Sequence, residues 1–163
     1  MQSDTNKTRL KLESEQKYIT FSLGDEEYGV PVIQVVEIVK MDDLIMIPHS
    51  LNYFKGLLDI RKQVVPVIDL KKKLEILLDG DTVTNYDRAI IIKAYGKRIG
   101  LAVDHVSHVV RFLPENIDAG PPAVKSSANR YIAGVGKHKD HFIVLINLEN
   151  LFSPDEIEMI FTH

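Results

Sequence analysis

The sequence predicts a mainly all-β protein built as two small antiparallel barrels in pseudo-duplicate. Two observations lead to this prediction. Short apolar strands alternate with turns rich in Gly, Asp and Lys, and the order of these strands is repeated in the second half of the chain. The length of 163 residues, with 45% hydrophobic and 26% charged residues, is enough for one globular domain with a real hydrophobic core.

The N-terminal segment differs from the rest of the chain. Residues 1–16 mix charged and polar side chains without the apolar core of a signal peptide. We expect a flexible arm over residues 1–16 and a folded domain over residues 17–163. The chain contains no cysteine, which excludes disulfides and thiolate metal sites. Since residues 1–16 do not resemble a signal peptide, we expect a cytoplasmic protein.

The first predicted element is a hairpin. Ile19, Phe21 and Leu23 alternate with polar residues and are followed by the polar turn 24–27. The same features return at residues 90–98, which are 71 residues further along the chain. The repetition predicts a second hairpin of the same kind.

The repeat extends well beyond these hairpins. Residues 29–40 match residues 100–111 at the same offset of 71, and residues 64–70 match residues 142–148 at an offset of 78. The offset is seven residues larger for the second block, so the second copy has a longer middle loop, which we expect within residues 113–129. The alternative is that short Val and Ile strands resemble one another by composition alone.

The duplication suggests the domain organisation. We expect subdomain 1 at about residues 17–80 and subdomain 2 at about residues 88–152. Asp69 and Asn147 stand at equivalent strand ends as helix N-caps. Ser153 and Pro154 then supply a cap and a first-turn proline for a C-terminal helix at about residues 154–161.

No catalytic or metal-binding pattern is visible. His105 and His108 are spaced by three, and on a strand such residues face opposite sides. His138 and His141 have the same spacing and could converge only across a tight turn. We therefore expect surface histidines, no metal site, no cofactor and no enzyme activity, although a catalytic group assembled from distant residues stays open. The net charge of -3 disfavours a nucleic-acid partner.

The run Lys71-Lys72-Lys73 follows the Asp69 cap directly. Two explanations are open, the solvated face of a short helix and a phosphate-binding patch. The first is favoured, because long charged side chains on a short helix normally point to solvent.

Six stretches together resemble the CheW family of chemotaxis coupling proteins. They are residues 18–31, 36–38, 54–61, 64–70, 100–104 and 131–136. The resemblance covers about residues 17–161. It implies two five-stranded SH3-like β-barrel subdomains with a hydrophobic seam between them. Three positions depart from the family pattern: Asp59 stands where Asn is usual, and Lys62 and His105 stand where Gly is common. Lys62 is expected to change its turn, because Gly tolerates a positive φ and Lys does so only at a cost.

The resemblance also implies a function. Such proteins are non-enzymatic adaptors that join the cytoplasmic tips of chemoreceptors to the regulatory domain of the histidine kinase CheA, in arrays at membrane-bound receptors. Direct insertion into the membrane is not expected. Two alternatives are a stand-alone regulatory domain of a histidine kinase and a small-ligand-binding double β-barrel, the second of which predicts a sizeable polar pocket.

The resemblance assigns protein-binding roles to Val35, Glu37, Gly56, Arg61 and Val106. For each valine the alternative is ordinary core packing. For Gly56 the alternatives are close approach of another backbone and a positive-φ turn. Arg61 either reaches a partner or pairs internally, with Glu37 or Asp59 as the candidates.

Overall fold

The chain folds as a mainly all-β protein, as predicted, in a computed structural model that describes residues 15–76, 86–118 and 130–162. The predicted arm, residues 1–16, lies outside the described residues except for its last two positions. The described residues form β1 (Gln16–Leu23), β2 (Glu26–Pro31), β3 (Val35–Lys40), β4 (Phe54–Ile60), β5 (Gln63–Asp69), α1 (Leu70–Lys73), β6 (Arg88–Ala94), β7 (Lys97–Val103), β8 (His105–Phe112), β9 (Ile117–Asp118), β10 (Ile132–His138), β11 (His141–Ile146) and α2 (Pro154–Phe161).

The described strands form two sheets, and each sheet takes strands from both halves of the chain. We call the sheet of order β8-β1-β2-β11-β10-β9 the terminal barrel and the sheet of order β3-β6-β7-β5-β4 the central barrel. The subdomain boundaries predicted from the duplication, 17–80 and 88–152, are therefore wrong as boundaries of the sheets. The strands of the central barrel follow one another from Val35 to Val103, and the terminal barrel contains the strands on either side of them.

The physical reason is an exchange of equivalent hairpins. The β1–β2 hairpin pairs with β8 and β11, and the β6–β7 hairpin pairs with β3 and β5. A sequence repeat shows which strands are equivalent. It cannot show whether a hairpin joins its own copy or the other copy, because both copies offer the same backbone edge.

The duplication itself is confirmed by the strand register. Equivalent hairpins pair the same positions, at an offset of 71 in the first hairpins and 78 in the second hairpins. The equivalent pairs are Phe21–Tyr28 and Ile92–Ile99 in the first hairpins, and Gly56–Val67 and Gly134–Leu145 in the second.

Among residues 15–76, 86–118 and 130–162, buried apolar side chains form three clusters. Strand residues alternate between two faces, so each strand contributes every second side chain to a cluster. One cluster lies in the central barrel and includes Val67 and Ile91. Another lies in the terminal barrel and includes Leu145. The largest combines residues of both barrels, such as Phe21 and Ile92, and we call it the shared core. The hydrophobic seam implied by the family resemblance corresponds to this shared core.

Capped helical turns close both halves. Asp69 Oδ1 accepts a hydrogen bond from Lys72 N at 3.2 Å, and Asn147 Oδ1 accepts one from Glu149 N at 3.0 Å. The helix α2 covers the range expected from the sequence and begins with a capping box between Ser153 and Glu156. Its buried face packs into the shared core.

Candidate protein-binding site

Four of the five predicted site residues belong to the central barrel. Val35 and Glu37 lie on β3, Gly56 lies on β4, and Arg61 lies in the turn between β4 and β5. The fifth, Val106, lies on β8 of the terminal barrel. The structure therefore places three of the five residues on the edge strands β3 and β8, which are equivalent under the duplication, and the other two on β4 and the turn that follows it.

The two valines occupy matched positions. Val35 is the Cα partner of Ile92, and Val106 is the Cα partner of Phe21. Both valines are half-buried and pack against the shared core. Each therefore contributes to packing, and each also retains some exposed surface at an edge strand.

Glu37 and Arg61 form an ion pair. Arg61 Nη2 lies 2.7 Å from Glu37 Oε2, and the side chains are 78% and 17% exposed respectively. Of the two internal partners proposed for Arg61, Glu37 is the one that the geometry supports. Glu37 Oε1 is buried and accepts no hydrogen bond within the described part of the chain. Burying this carboxylate oxygen without a hydrogen-bond donor lowers the free energy of unfolding.

Exposed apolar side chains lie beside this ion pair. Val36 and Ile38 flank Glu37 on the opposite face of β3 and are 41% and 38% exposed. An edge strand with exposed apolar residues offers both main-chain hydrogen bonds and apolar area to another molecule.

Gly56 is needed for a close approach within the chain itself. A Cβ atom at this position would lie 2.5 Å from the carbonyl oxygen of Ile45 and 3.0 Å from Leu44 Cγ. The approach is held by two hydrogen bonds between Ile45 and Leu57, each 2.8 Å long. Gly56 does not have a positive φ, which excludes the turn explanation, and the backbone that approaches it closely belongs to this protein and not to a partner.

The turn that carries Arg61 has a left-handed backbone at two residues. The φ angles are 52° at Arg61 and 67° at Lys62, and Lys62 N donates to Asp59 Oδ1 at 2.9 Å. Lys62 was expected to change this turn. Lys62 instead adopts the positive φ itself, so the turn is kept. The cost of having Lys where Gly is common is therefore backbone strain at Lys62.

Two lysines that the sequence assigned to a solvated face are buried. Lys71 and Lys73 are only 4% and 5% exposed. Lys71 Nζ lies 2.7 Å from Asp104 Oδ2, which also accepts a hydrogen bond from Gly24 N at 2.8 Å. The expectation was wrong because α1 lies at the junction of the barrels, where partners distant in sequence surround it.

Lys73 lies in a cage of aromatic rings. Its Nζ lies 4.9 Å from the ring centre of Tyr53 and 4.7 Å from that of Tyr131, and it donates to Glu156 Oε2 at 2.7 Å. Tyr53 also donates a hydrogen bond to Glu156. Glu156 belongs to α2, so this network ties α1 to the C-terminal helix.

The network shifts two pKa values. Burial, reinforced by the hydrogen bond to the Glu156 carboxylate, raises the pKa of Tyr53 well above its usual range. Burial by itself would raise the pKa of Glu156, but the hydrogen bonds from Lys73 and Tyr53 outweigh it and lower that pKa. At neutral pH Glu156 is therefore ionised and Tyr53 is neutral.

The described histidines do not assemble a metal centre. His108 and His138 approach with their ring centres 5.9 Å apart, yet no group of three or more ligand side chains that could hold a metal ion occurs among the described residues. None of the described helices is both long and apolar enough to cross a membrane.

A surface groove of about 770 Å³ can be compared with the pocket that the small-ligand alternative predicts. It runs beside Pro31–Gln34 and the start of β1. Its lining includes Ile33, whose side chain is 93% exposed. This open, partly apolar groove is unlike the enclosed pocket with convergent polar groups that the small-ligand alternative predicts.

The fold and the site define a class of protein. Two β-barrels are joined by a shared core, and their surface carries edge strands, an ion pair with an exposed arginine, and exposed apolar side chains. Such an arrangement is typical of an interaction scaffold, which works through its surface.

Comparison with known proteins gives the family. The model of the CheW-like domain matches residues 17–156. The chain is 31% identical to the chemotaxis protein CheW of Klebsiella aerogenes over 149 residues, which cover 89% of this chain and 86% of that protein. It is 27% identical to the chemotaxis protein CheW of Treponema pallidum, over 86% of this chain and 84% of that protein.

A solved structure supports the same assignment. The crystal structure of the scaffolding protein TtCheW from Thermoanaerobacter tengcongensis matches with a TM-score of 0.72 and 31% identity, over 86% of this chain and 90% of that one. The chain belongs to the CheW-like family. It is a non-enzymatic chemotaxis adaptor, which confirms the function predicted from the sequence.

Proposed function

We propose that this adaptor couples the cytoplasmic tips of chemoreceptors to the regulatory domain of the histidine kinase CheA. The proposal is supported by the relatives named as chemotaxis protein CheW and by the structural neighbour named as a scaffolding protein. It places the protein in the cytoplasm, at arrays of membrane-bound receptors.

The observation that carries the proposal is the ion pair between Glu37 and Arg61 on the surface of the central barrel. Arg61 is too exposed for the pair to contribute much stability, because an exposed ion pair is worth only about 0–1 kcal/mol. A guanidinium has five donors in a planar fork, and the bond to Glu37 Oε2 uses one of its nitrogens. Arg61 can therefore stay paired with Glu37 and still donate to a carboxylate or carbonyl of a partner.

The remaining residues of the site act around this pair. Val35 and Val106 supply apolar contact at the exposed rims of the two edge strands, where their side chains leave the shared core. Gly56 acts through the shape of the loop at Leu44 and Ile45, since that loop reaches its position only without a side chain at residue 56. In this proposal Gly56 is a positioning residue, and the other four contact a partner.

A charge-exchange series tests the pair directly. The variants are Glu37→Arg, Arg61→Glu and the double variant, and the measurement is binding to a receptor cytoplasmic fragment and, separately, to the kinase regulatory domain. Each single reversal should weaken binding to at least one partner by about tenfold or more. The double variant restores the internal pair but presents reversed charges, so it should remain defective if the partner contacts Arg61.

Lys137→Glu serves as the matched control, because Lys137 is an exposed cation on β10 of the other barrel. Normal binding by the double variant would show that the pair acts only by supporting the fold. Normal binding by all three variants would remove Glu37 and Arg61 from the site.

A further inference from the structure

The equivalent hairpin turns of the two barrels carry opposite charge. The β1–β2 turn presents Asp25, Glu26 and Glu27. The β6–β7 turn, 71 residues later, presents Lys97 and Arg98 at the positions of Glu26 and Glu27. Since backbone register is the same in both hairpins, the difference lies in the side chains and not in the fold.

The central barrel gathers further cations at the same end. Lys93 is the Cα partner of Arg98 across the hairpin. Arg98 Nη1 donates to Gln63 Oε1 at 3.4 Å, which brings the start of β5 and the neighbouring Lys62 alongside. We call the surface formed by Lys62, Lys93, Lys97 and Arg98 the cationic end.

The cationic end borders a groove. The groove has a volume of about 610 Å³ and is lined by residues of β5, β6, β7 and α2. Lys93, Lys97 and Arg98 belong to the lining, which contains no carboxylate among the described residues. Val64 also lines it and is 59% exposed. The groove thus combines three cations with the apolar side chains of Val64, Val65 and Phe161.

These cations are not neutralised within the described part of the chain. None of the four forms an ion pair there, and Lys97 Nζ instead lies 4.6 Å from the ring centre of Phe161. The carboxylates nearest to them along the chain are already engaged: Asp87 pairs with Arg88, Asp104 pairs with Lys71, and Asp59 accepts a hydrogen bond from the backbone N of Lys62. Uncompensated like charges repel one another, so an anionic partner gains attraction without breaking an internal pair.

We propose that the cationic end binds an acidic segment of a protein partner, with an apolar side chain of that segment resting on Val64. Protein is favoured over nucleic acid or a lipid surface because the patch holds only four cations around an apolar centre, in a chain whose net charge is -3. A backbone of regularly spaced phosphates calls for a longer cationic track. The surface adjoins the site through Lys62, which follows Arg61 in the β4–β5 turn, but contains none of Val35, Glu37, Gly56, Arg61 and Val106, so it goes beyond the proposed function.

The test uses the full chain and a short fluorescein-labelled peptide of glutamates interspersed with leucines, with fluorescence anisotropy as the measurement. A peptide in which every Glu is replaced by Gln is the first control. The double variant Lys93→Glu with Arg98→Glu removes the patch. Lys17→Glu with Arg111→Glu is the matched control variant, because Lys17 and Arg111 are also exposed cations paired across two strands, in the terminal barrel.

The Glu–Leu peptide should bind the natural chain and lose affinity as salt is raised. Lys93→Glu with Arg98→Glu should weaken this binding by about tenfold or more, and the terminal-barrel variant should leave it within about twofold. Val64→Ser should weaken binding of the Glu–Leu peptide and leave binding of a leucine-free glutamate peptide unchanged. Equal loss in both double variants, or equal affinity for the Gln peptide, would overturn the proposal.

Three further outcomes would overturn the choice of partner. They are tighter binding of a single-stranded oligonucleotide, tighter binding of phosphatidylglycerol vesicles, and self-association that disappears in the cationic-end variant when measured by sedimentation. Binding of receptor and kinase fragments by the same variant separates the two proposals, since loss of peptide binding with normal adaptor binding concerns the cationic end alone.

Discussion

Lys73 Nζ lies 2.7 Å from Glu156 Oε2, and 83 residues separate the two in sequence. The ammonium group is almost completely buried, whereas the carboxylate retains 26% exposure. This contact joins the single turn of α1 to α2, and α2 in turn packs into the core that both barrels share. The arrangement of the two barrels therefore depends on a charged contact as well as on apolar packing.

Lys73→Met should destabilise the fold. The variant preserves most of the apolar stem but leaves Glu156 and the Tyr131 hydroxyl without the ammonium group that they contact. Breaking one side of a buried pair costs about 3–5 kcal/mol, and the partial exposure of Glu156 reduces the expected loss to about 2–3 kcal/mol. Urea denaturation measures it. Lys72→Met is the control, because Lys72 is exposed on the same turn and should change stability by less than about 0.5 kcal/mol.

Stability should fall in acid because of Glu156. Its folded-state pKa lies below the ordinary value of 4.5, so the unfolded chain takes up this proton first as the pH falls. The stabilisation is fully present above about pH 4.5 and is lost as the pH drops through the lowered folded-state pKa. Glu156→Gln should flatten this part of the stability curve. An unchanged acid limb in the variant would mean that other carboxylates control it.

Gly56→Ala should destabilise the protein more than Gly96→Ala does. At Gly56 the new methyl group would lie 2.5 Å from the Ile45 carbonyl oxygen, which forces the loop to move. We expect a loss of about 2–3 kcal/mol there. Gly96 has φ +77° but nothing within 4 Å, so only backbone strain of about 1 kcal/mol applies. Thermal unfolding of the two variants gives the comparison, and equal losses would contradict it.

Lys62→Gly should stabilise the protein. Glycine removes the strain of a Cβ at φ 67°, which is worth about 1–2 kcal/mol. Part of this gain is cancelled because glycine also raises the conformational entropy of the unfolded chain. The expected net gain is about 0.5–1 kcal/mol. Lys93→Gly is a suitable contrast, because Lys93 is an exposed residue inside β6 and glycine should destabilise a strand interior.

Local patterns in the sequence predicted much of the fold. The matched offsets of 71 and 78 predicted equivalent hairpins, and the same register appears in both. The exchange of hairpins between copies was not predictable, because it depends on a choice between two equivalent edges. The shared core could be anticipated only as a seam, since its members come from strands far apart in the chain.

The candidate site was predictable to a similar extent. The pairing of Arg61 with Glu37 was one of two internal alternatives, and only the fold distinguishes Glu37 from Asp59. The burial of Lys71 and Lys73 was missed for a physical reason. Their partners, Asp104 and Glu156, lie on other elements, and a run of three lysines carries no local signal for them.

The most direct test of the adaptor account is kinase activity in a mixture of receptor cytoplasmic fragment, CheA and this protein. The natural chain should change CheA autophosphorylation when receptor is present. Arg61→Asp should abolish that change while the melting temperature stays near that of the natural chain, because Arg61 is largely exposed. A natural chain that alters neither kinase activity nor assembly with the receptor would contradict the account.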